Sequence, residues 1–499
     1  MLDSNIVAVS LPAIARDMHA AFADIEWVVS AYVLTFAAAL LPAGALADRL
    51  GRRRMLMVGL AVFTLASLLC GMASRPSVLN WSRALQGIGA ALQLSAALAL
   101  MGHTFKGPDR ARAFAFWGIV VGSAVAAGPV VGGIVTSTVG WRWAFLVNVP
   151  IGIALIGLAS TSLDESRDPG ARHLDLPGIV LFGSGLFLLV WAAIDANAVG
   201  WGSNATLVKL AAGTTLVALF IVVERLRAHP MIDLTLFGRP TYLGSTFAML
   251  GYAFAGQVMM TLLPLYLQVA HAQTPLVAGL AMLPFAVPLV LSPWLTGFLA
   301  ERWSGRMILT VGLVVIALGN LVTAAAIACL HGYAPVAVAM VVTGVGTGML
   351  NSETTKVHIG AVPPERAGMA GGLTGTTRFV GIVAGIAGLG AILATVTSRH
   401  LTTRLQHGAS PLPDPADIHA LALRVVAGDV PFASTLSGAS DPLVSAARKS
   451  FSAGFENVLL AAAAVSAACA LLAFVLVRAD ETAPHQREHG AGEHGSTME

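Results

Sequence analysis

The chain has 499 residues, of which 56% are hydrophobic and 11% charged, and its mean hydropathy is +0.78. A soluble domain carries about 25% charged residues, so there is too little charge here to cover a water-facing surface, and the composition is the opposite of that of a disordered chain. The net charge of +3 leaves no nucleic-acid footprint, and Cys70, Cys329 and Cys469 lie far apart inside apolar runs, as packing residues rather than a disulfide or metal framework.

A helix needs about 20 apolar residues to cross roughly 30 Å of hydrocarbon. In runs this long the helix is the only candidate, because a backbone in lipid must bond to itself. In chain order the spans fall near 1–15, 26–47, 55–74, 77–102, 111–137, 143–161, 176–196, 205–223, 241–268, 276–300, 307–330, 334–352, 367–397 and 455–477, about fourteen helices. The expected class is an all-α polytopic membrane protein. The first span is short, and the expectation is an N-terminal stretch upstream of Met1; no cleavable signal sequence is read in MLDSNIVAVSLPAIA.

Loops after even-numbered helices hold sixteen Lys and Arg, among them Arg49, Arg52, Lys106, Arg172 and Arg366. Short loops after odd-numbered helices hold four: Arg16, Arg75, Arg142 and Lys209. The positive-inside bias therefore puts the even side and both termini in the cytoplasm. Residues 398–452 read as an external loop with PLPDPAD and then mildly amphipathic stretches, and 479–499 as a disordered cytoplasmic tail, with a metal-binding tail at His485, His489 and His494 as the alternative.

GALADRLGRRRML at 44–56 is repeated as GFLAERWSGRMIL at 297–309, with Gly44, Asp48 and Arg49 matching Gly297, Glu301 and Arg302. One inserted residue brings Gly51 and Arg52 onto Gly305 and Arg306. Two parallel copies in equivalent loops point to two six-helix bundles, 1–161 and 239–478, with a linker of two extra spans at 162–238. Such duplication is typical of secondary transporters, whose sites lie at the repeat interface.

Polar residues inside the spans carry the functional signal. Asp3 sits in an apolar helix, where burial makes its charged form expensive, so it can carry a proton. It reads either as a proton or cation site facing a central cavity or as an acid at the membrane interface. Arg83 costs at least about 2.5–3.5 kcal/mol near mid-bilayer. Arg83, Gln86, Ala90, Gln93 and Ala97 fall within roughly 80° on the helix, one polar or small stripe. That stripe reads as a cavity wall in which Arg83 meets the charge of Asp3; the alternative is an arginine reaching out to the interface.

In the fifth span Gly118, Gly122, Ala126, Pro129 and Gly133 recur every three or four residues, a smooth face for close helix approach. Pro129 should bend that helix. In the thirteenth, Thr374, Arg378, Gly381, Gly385 and Gly388 form another stripe. Arg378 offsets an acid, binds an anionic group or pairs with carbonyls. Gln257 is a candidate cavity residue, while Asn320 reads as a bond to a neighbouring helix. Trp27, Tyr32, Phe36, Met259 and Met260 are candidate lining residues. Asn351 and Glu353 are expected in the solvated end of a span, and Asp195 near a wet outer end.

LDSNIVAVSLPAI, GALADRLGRRR, RALQGIGAA, GPVVGG, WRWAFLVNVPIG, LLPLYLQ and TTRFVG together resemble the major facilitator superfamily, and within it the fourteen-helix drug:proton antiporters. The resemblance covers almost the whole chain. It implies proton coupling at Asp3 and at the RALQG arginine, Arg83. It implies an exporter's antiport motif at Gly122, Gly128, Pro129, Gly132 and Gly133. It also implies a gating loop at Gly44, Asp48, Arg49, Gly51 and Arg52, in which Asp48 pairs across the two halves, with Glu301 and Arg302 as a weaker counterpart.

No GxxxxGK[ST], GxSxG or paired zinc-ligand spacing occurs, so neither ATP, a metal nor another cofactor is expected, and no enzymatic activity. GVGTG at 344–348 lies inside a span, where glycines serve helix packing. The expected function is proton-driven export of small amphiphilic or drug-like molecules across the inner or plasma membrane. The rivals are a proton symporter importing a metabolite and a non-transporting membrane sensor. Some resembling exporters work with an adaptor and an outer-membrane channel, for which the sequence carries no signal.

Overall fold

The computed structural model describes residues 2–105, 107–167, 175–227, 234–330, 332–362, 367–406, 415–428, 441–479 and 482, and every regular element among them is a helix. Met1, Lys106, Arg172, Arg366 and the tail histidines His485, His489 and His494 lie outside the described residues.

The first helices are α1 (Leu2–Met18), α2 (Phe22–Leu50), α3 (Arg52–Gly71), α4 (Pro76–Thr104) and α5 (Gly107–Thr138). The short α6 (Trp143–Leu146) runs into α7 (Asn148–Ser162). A hairpin follows, α8 (Leu176–Val199) and α9 (Asn204–Leu226). Beyond it come α10 (Pro240–Gly251), α11 (Met259–Val269), α12 (Pro275–Leu280), α13 (Leu283–Leu299), α14 (Gly305–Cys329), α15 (Tyr333–Gly360), α16 (Ala367–Gln406), α17 (Pro415–Ala427) and α18 (Asp441–Leu476). Among the described residues thirteen helices or helix runs are long and apolar enough to cross a membrane. The seventeen residues of α1 add a fourteenth apolar helix, in agreement with the count from hydropathy.

Long apolar runs locate these helices, and local chemistry ends them. Ser203 and Thr274 cap α9 and α12 by accepting from the amides of Thr206 and Val277. Gly51, at φ +119°, makes the sharp turn from α2 into α3. The Glu165 carboxylate, from the segment after α7, accepts from the amides of Arg53 and Arg54, two of the orphan donors at the start of α3. Exposed apolar side chains such as Leu226 (81%) and Trp81 (75%) form an outer surface that suits lipid as solvent.

Helices α1–α7 pack chiefly on one another, through α2 on α4, α3 on α4 and α7, and α1 on α5. A second set is built from α14 on α15 and α18, α13 on α15, and α16 on α18. The sets meet where α2 packs on α16, α5 on α12 and α13, and α1 on α11. The hairpin α8–α9 lies outside, with α8 against α2 and α16. Its Asp195 is not simply solvated, as expected from the sequence: it pairs with Lys209, whose ammonium lies 4.4 Å from the Trp191 ring centroid.

In the 398–452 segment α16 continues to Gln406, α18 begins at Asp441, and the amphipathic stretch between them holds α17. Helix α17 buries Leu421, Ala422, Val425 and Val426 and packs against α16, α18 and α2. One expectation needs correction: the 241–268 span is not a uniform α-helix, since a π-helical turn, Tyr252–Gln257, separates α10 from α11.

Candidate functional site

Between the two sets of helices lies a cavity of about 1770 Å³, above the roughly 300–1,000 Å³ common for ligand pockets. Its wall runs along α2 from Val29 to Asp48 and along α4 from Ala90 to His103. The facing wall includes Gln257, Met260, Thr355, Arg378, Phe379 and Ile382. The wall reaches Asp48, Arg52 and Asp175, so the cavity extends to the end where the arginine-rich loops join the helices.

The opposite end is closed by direct contact. Gln268 on α11 donates to the Val9 carbonyl of α1 at 2.9 Å, and the Leu276 amide donates to Ser137 Oγ at 3.0 Å. Here the α5 glycines find their use. A Cβ on Gly128 would lie 2.4 Å from the Asn5 side chain, one on Gly132 2.9 Å from Ile6 backbone, and one on Gly133 2.5 Å from the Pro275 carbonyl. A Cβ on Gly279 of α12 would lie 2.3 Å from the Pro129 carbonyl. Gly122 differs from the other motif glycines in having no such close neighbour.

At the blind tip of the cavity sits a buried charge pair. Arg83 Nη1 donates to Asp3 Oδ2 at 2.8 Å and to Gln86 Oε1 at 2.6 Å, and Arg83 Nε donates to the Val28 carbonyl at 2.9 Å. Asp3 Oδ1 accepts from Asn148 Nδ2 at 2.9 Å and from Gln86 Nε2 at 3.2 Å. Gln86 Nε2 also donates to Ser67 at 2.8 Å. The guanidinium lies 4.2 Å from the centroid of the Tyr32 ring. Arg83 is 0% exposed and Asp3 7%, so neither reaches out to the interface. Five helices of one half supply the cluster: α1, α2, α3, α4 and α7.

The cluster does not face the cavity as the stripe on α4 suggested. Asp3, Arg83 and Gln86 are absent from the wall, which begins one residue past Val28 on α2 and one helical turn past Gln86 on α4. Gln93 and Tyr32 do line it, as do Ser4 and Asn5, the residues after Asp3. Gln86 and Gln93 share a helix face but stand at different heights, one above the closed tip and one below it. Of the other candidates, Phe36 and Met260 line the cavity, whereas Trp27 packs on Phe187 with centroids 5.9 Å apart and Met259 is buried elsewhere.

In the other half, Arg378 lines the cavity on α16. Its Nε donates to Gln257 Oε1 at 2.9 Å, and its Nη2 donates to Asn351 Oδ1 at 3.0 Å and to the Tyr252 hydroxyl at 3.1 Å. Tyr252 and Gln257 bound the π-helical turn, a type of irregularity frequent at functional sites. Asn351 is therefore part of this cluster and not simply solvated. Asn320, as expected, donates to a neighbouring helix, at the Ala255 carbonyl.

The gating loop is also local in this structure. Asp48 accepts from Arg52 Nε and Nη2 at 2.9 and 2.8 Å, within its own loop and not across the halves. Arg49 is exposed and Gly44 lines the cavity. In the equivalent loop Glu301 is exposed and Arg302 stacks on Phe298 at 5.0 Å.

Asn148, Ser67, Tyr252 and Glu165 also hold these sites together, and they do not stand out in the sequence as the charged residues inside the spans do. Asn148 had a signal, as a lone amide in the apolar run WAFLVNVPIGIAL. Ser67, Tyr252 and Glu165 had none, because hydroxyls are common in spans and loop acids are ordinary.

Comparison with known proteins agrees with this architecture. The family model of the Major Facilitator Superfamily matches residues 1–397. The multidrug resistance protein Stp of Mycobacterium tuberculosis is 36% identical over 423 residues, 84% of this chain and 78% of that protein. The tetracenomycin C resistance and export protein of Streptomyces glaucescens is 32% identical over 489 residues, 97% of this chain and 91% of its own. The cephamycin export protein CmcT of Amycolatopsis lactamdurans is 37% identical over 407 residues, covering 80% and 82%. A bacterial homologue of the human lysosomal transporter Spinster, in an inward-facing and unoccupied conformation, shares the fold with a TM-score of 0.66 at 15% identity, covering 96% of this chain and 95% of that one. The chain is a multi-pass membrane protein and belongs to the Major Facilitator Superfamily.

Proposed function

We propose that this chain exports small amphiphilic, drug-like molecules from the cytoplasm in exchange for protons, with the arginine-rich loop side and both termini cytoplasmic. The two six-helix bundles, 1–161 and 239–478, rock about the cavity, and the linker hairpin rides on them. The relatives named for multidrug resistance and antibiotic export support the direction and the class of cargo. No enzymatic step is needed for this work.

The observation that carries the reading is the Asp3–Arg83 pair at the tip of the cavity, tied down by Gln86 and Asn148. A proton arriving on Asp3 removes the counter-charge of a fully buried guanidinium. Breaking a buried pair from one side costs about 3–5 kcal/mol. That is enough to favour a rearrangement of α1 against α4, and so to link proton occupancy to which end of the cavity is open. Ser4, Asn5 and Tyr32 then pass the change on, since each touches the cavity beside the pair.

The test is drug susceptibility of a pump-deficient host expressing the chain, together with proton-driven dye accumulation in inverted membrane vesicles. The wild type should raise resistance and load the vesicles. Asp3→Asn, which keeps the hydrogen-bonding shape without the charge, should reduce both to background. Equal accumulation by wild type and Asp3→Asn would remove Asp3 from proton coupling, and uptake without antiport would make the chain an importer.

A further inference from the structure

Five residues that can carry charge line the cavity: Asp48, Arg52, His103, Asp175 and Arg378. Four of them stand at the end where the loops join. There Asp48 is paired with Arg52 at 2.8 Å and Asp175 with Arg227 at 3.0 Å. Deeper in, the wall is apolar or neutral except for Arg378. Asp3 belongs to the cluster behind the tip, where Arg83 already balances it.

Arg378 is thus a cation without a counter-ion. Among the described residues no carboxylate lies within ion-pair distance of it, and its three partners, Gln257, Asn351 and Tyr252, are all neutral. Those partners occupy Nε and Nη2. Nη1 hydrogen-bonds to no described residue and is not a buried atom left unpartnered, so it is open to the cavity. An arginine held in a fixed orientation by neutral acceptors, with one amino group free, is poised to receive an anionic oxygen. Beside it Phe379 meets Phe36 of the other half with ring centroids 4.3 Å apart, and both line the cavity.

We propose that the preferred cargo is an amphiphilic anion, an aromatic or apolar body bearing a carboxylate, sulfonate or phenolate, and that Arg378 Nη1 receives its negative charge while the body lies against Phe36 and Phe379. This rests on the exporter reading above and names the substrate class for the same cavity. It also accounts for a cation kept in the wall where a neutral donor would have served for packing: the charge is balanced when cargo is present. The π-helical turn contributes by placing Tyr252 and Gln257 on one side of the guanidinium, so that the free edge is aimed at the cavity.

The experiment compares proton-driven accumulation of two flat aromatic dyes of similar size, an anthraquinone sulfonate and the cation ethidium, in inverted vesicles, with vesicles lacking the chain as background. Three variants are compared at matched expression: wild type, Arg378→Gln and Arg378→Lys. Wild type should accumulate the sulfonate in preference to ethidium. Arg378→Gln should lower sulfonate accumulation about tenfold to a hundredfold, the worth of one charge-assisted hydrogen bond, and leave ethidium unchanged or raised. Arg378→Lys should restore part of the sulfonate signal. Preference for ethidium in the wild type, or an equal loss of both dyes in Arg378→Gln, overturns the proposal while leaving the exporter reading intact. No accumulation of either dye by the wild type overturns the exporter reading and the proposal with it.

Discussion

Asn148 donates one of the two amide hydrogen bonds that hold the Asp3 carboxylate. Hydrogen bonds to charged groups are worth about 1.5–3 kcal/mol. Asn148→Ala should therefore loosen the carboxylate and lower the initial rate of proton-driven vesicle loading about tenfold or more at matched expression, with the fold retained. His271, in the turn between α11 and α12, tests pH. Burial against the Tyr266 ring, 5.3 Å away, holds its imidazole below the ordinary value of 6.5. The unfolded chain then takes up the proton first as pH falls, so stability is full above about 6.5 and declines on acidification toward the lowered value. Thermal melts of the purified protein should show that loss between pH 7.5 and 5, and His271→Gln should flatten it.

At the scale of elements, the seam between α5 and α12 keeps one end of the cavity shut. Gly279→Ala places a methyl group 2.3 Å from the Pro129 carbonyl, backbone that has no rotamer to yield. Overpacking of this kind costs about 1–3 kcal/mol. The seam should open, shifting the balance of the two access states about fivefold to a hundredfold. Labelling of a Val29→Cys reporter in the cavity wall with an impermeant maleimide from the α5–α12 side reads that shift, in a chain freed of Cys70, Cys329 and Cys469. Unchanged labelling would show that the seam is not what holds this end closed. The helices themselves were legible in hydropathy, because in lipid each must be apolar over its own length. The π-helical turn was not, because it conserves hydropathy while changing hydrogen-bond register; of α17 the amphipathic pattern was legible but not its docking on α16, because it is shorter than a span.

At the scale of the molecule, the halves touch at one end and part at the other. The Leu276 amide to Ser137 hydroxyl bond marks the closed end. A cysteine pair at these two positions should crosslink under oxidation, trap the cavity open toward the arginine-rich loops and stop vesicle loading, with recovery on reduction. Continued loading with the crosslink in place would rule out alternating access through this end.

Family, class and span count could be read from residue order alone, because lipid demands long apolar helices and the repeat and motifs recur at set intervals along the chain. Asp3 and Arg83 stood out for the same reason, as charges in apolar runs. Their pairing across 80 residues, the Asn148 bond across 145, and their position behind the cavity wall came from packing, which sets height along a helix as well as face. The same holds for Arg378. Its sequence position left an acid partner, an anion and a carbonyl equally open, and only the assembled bundle shows neutral groups on its bound side and an open cavity on the other.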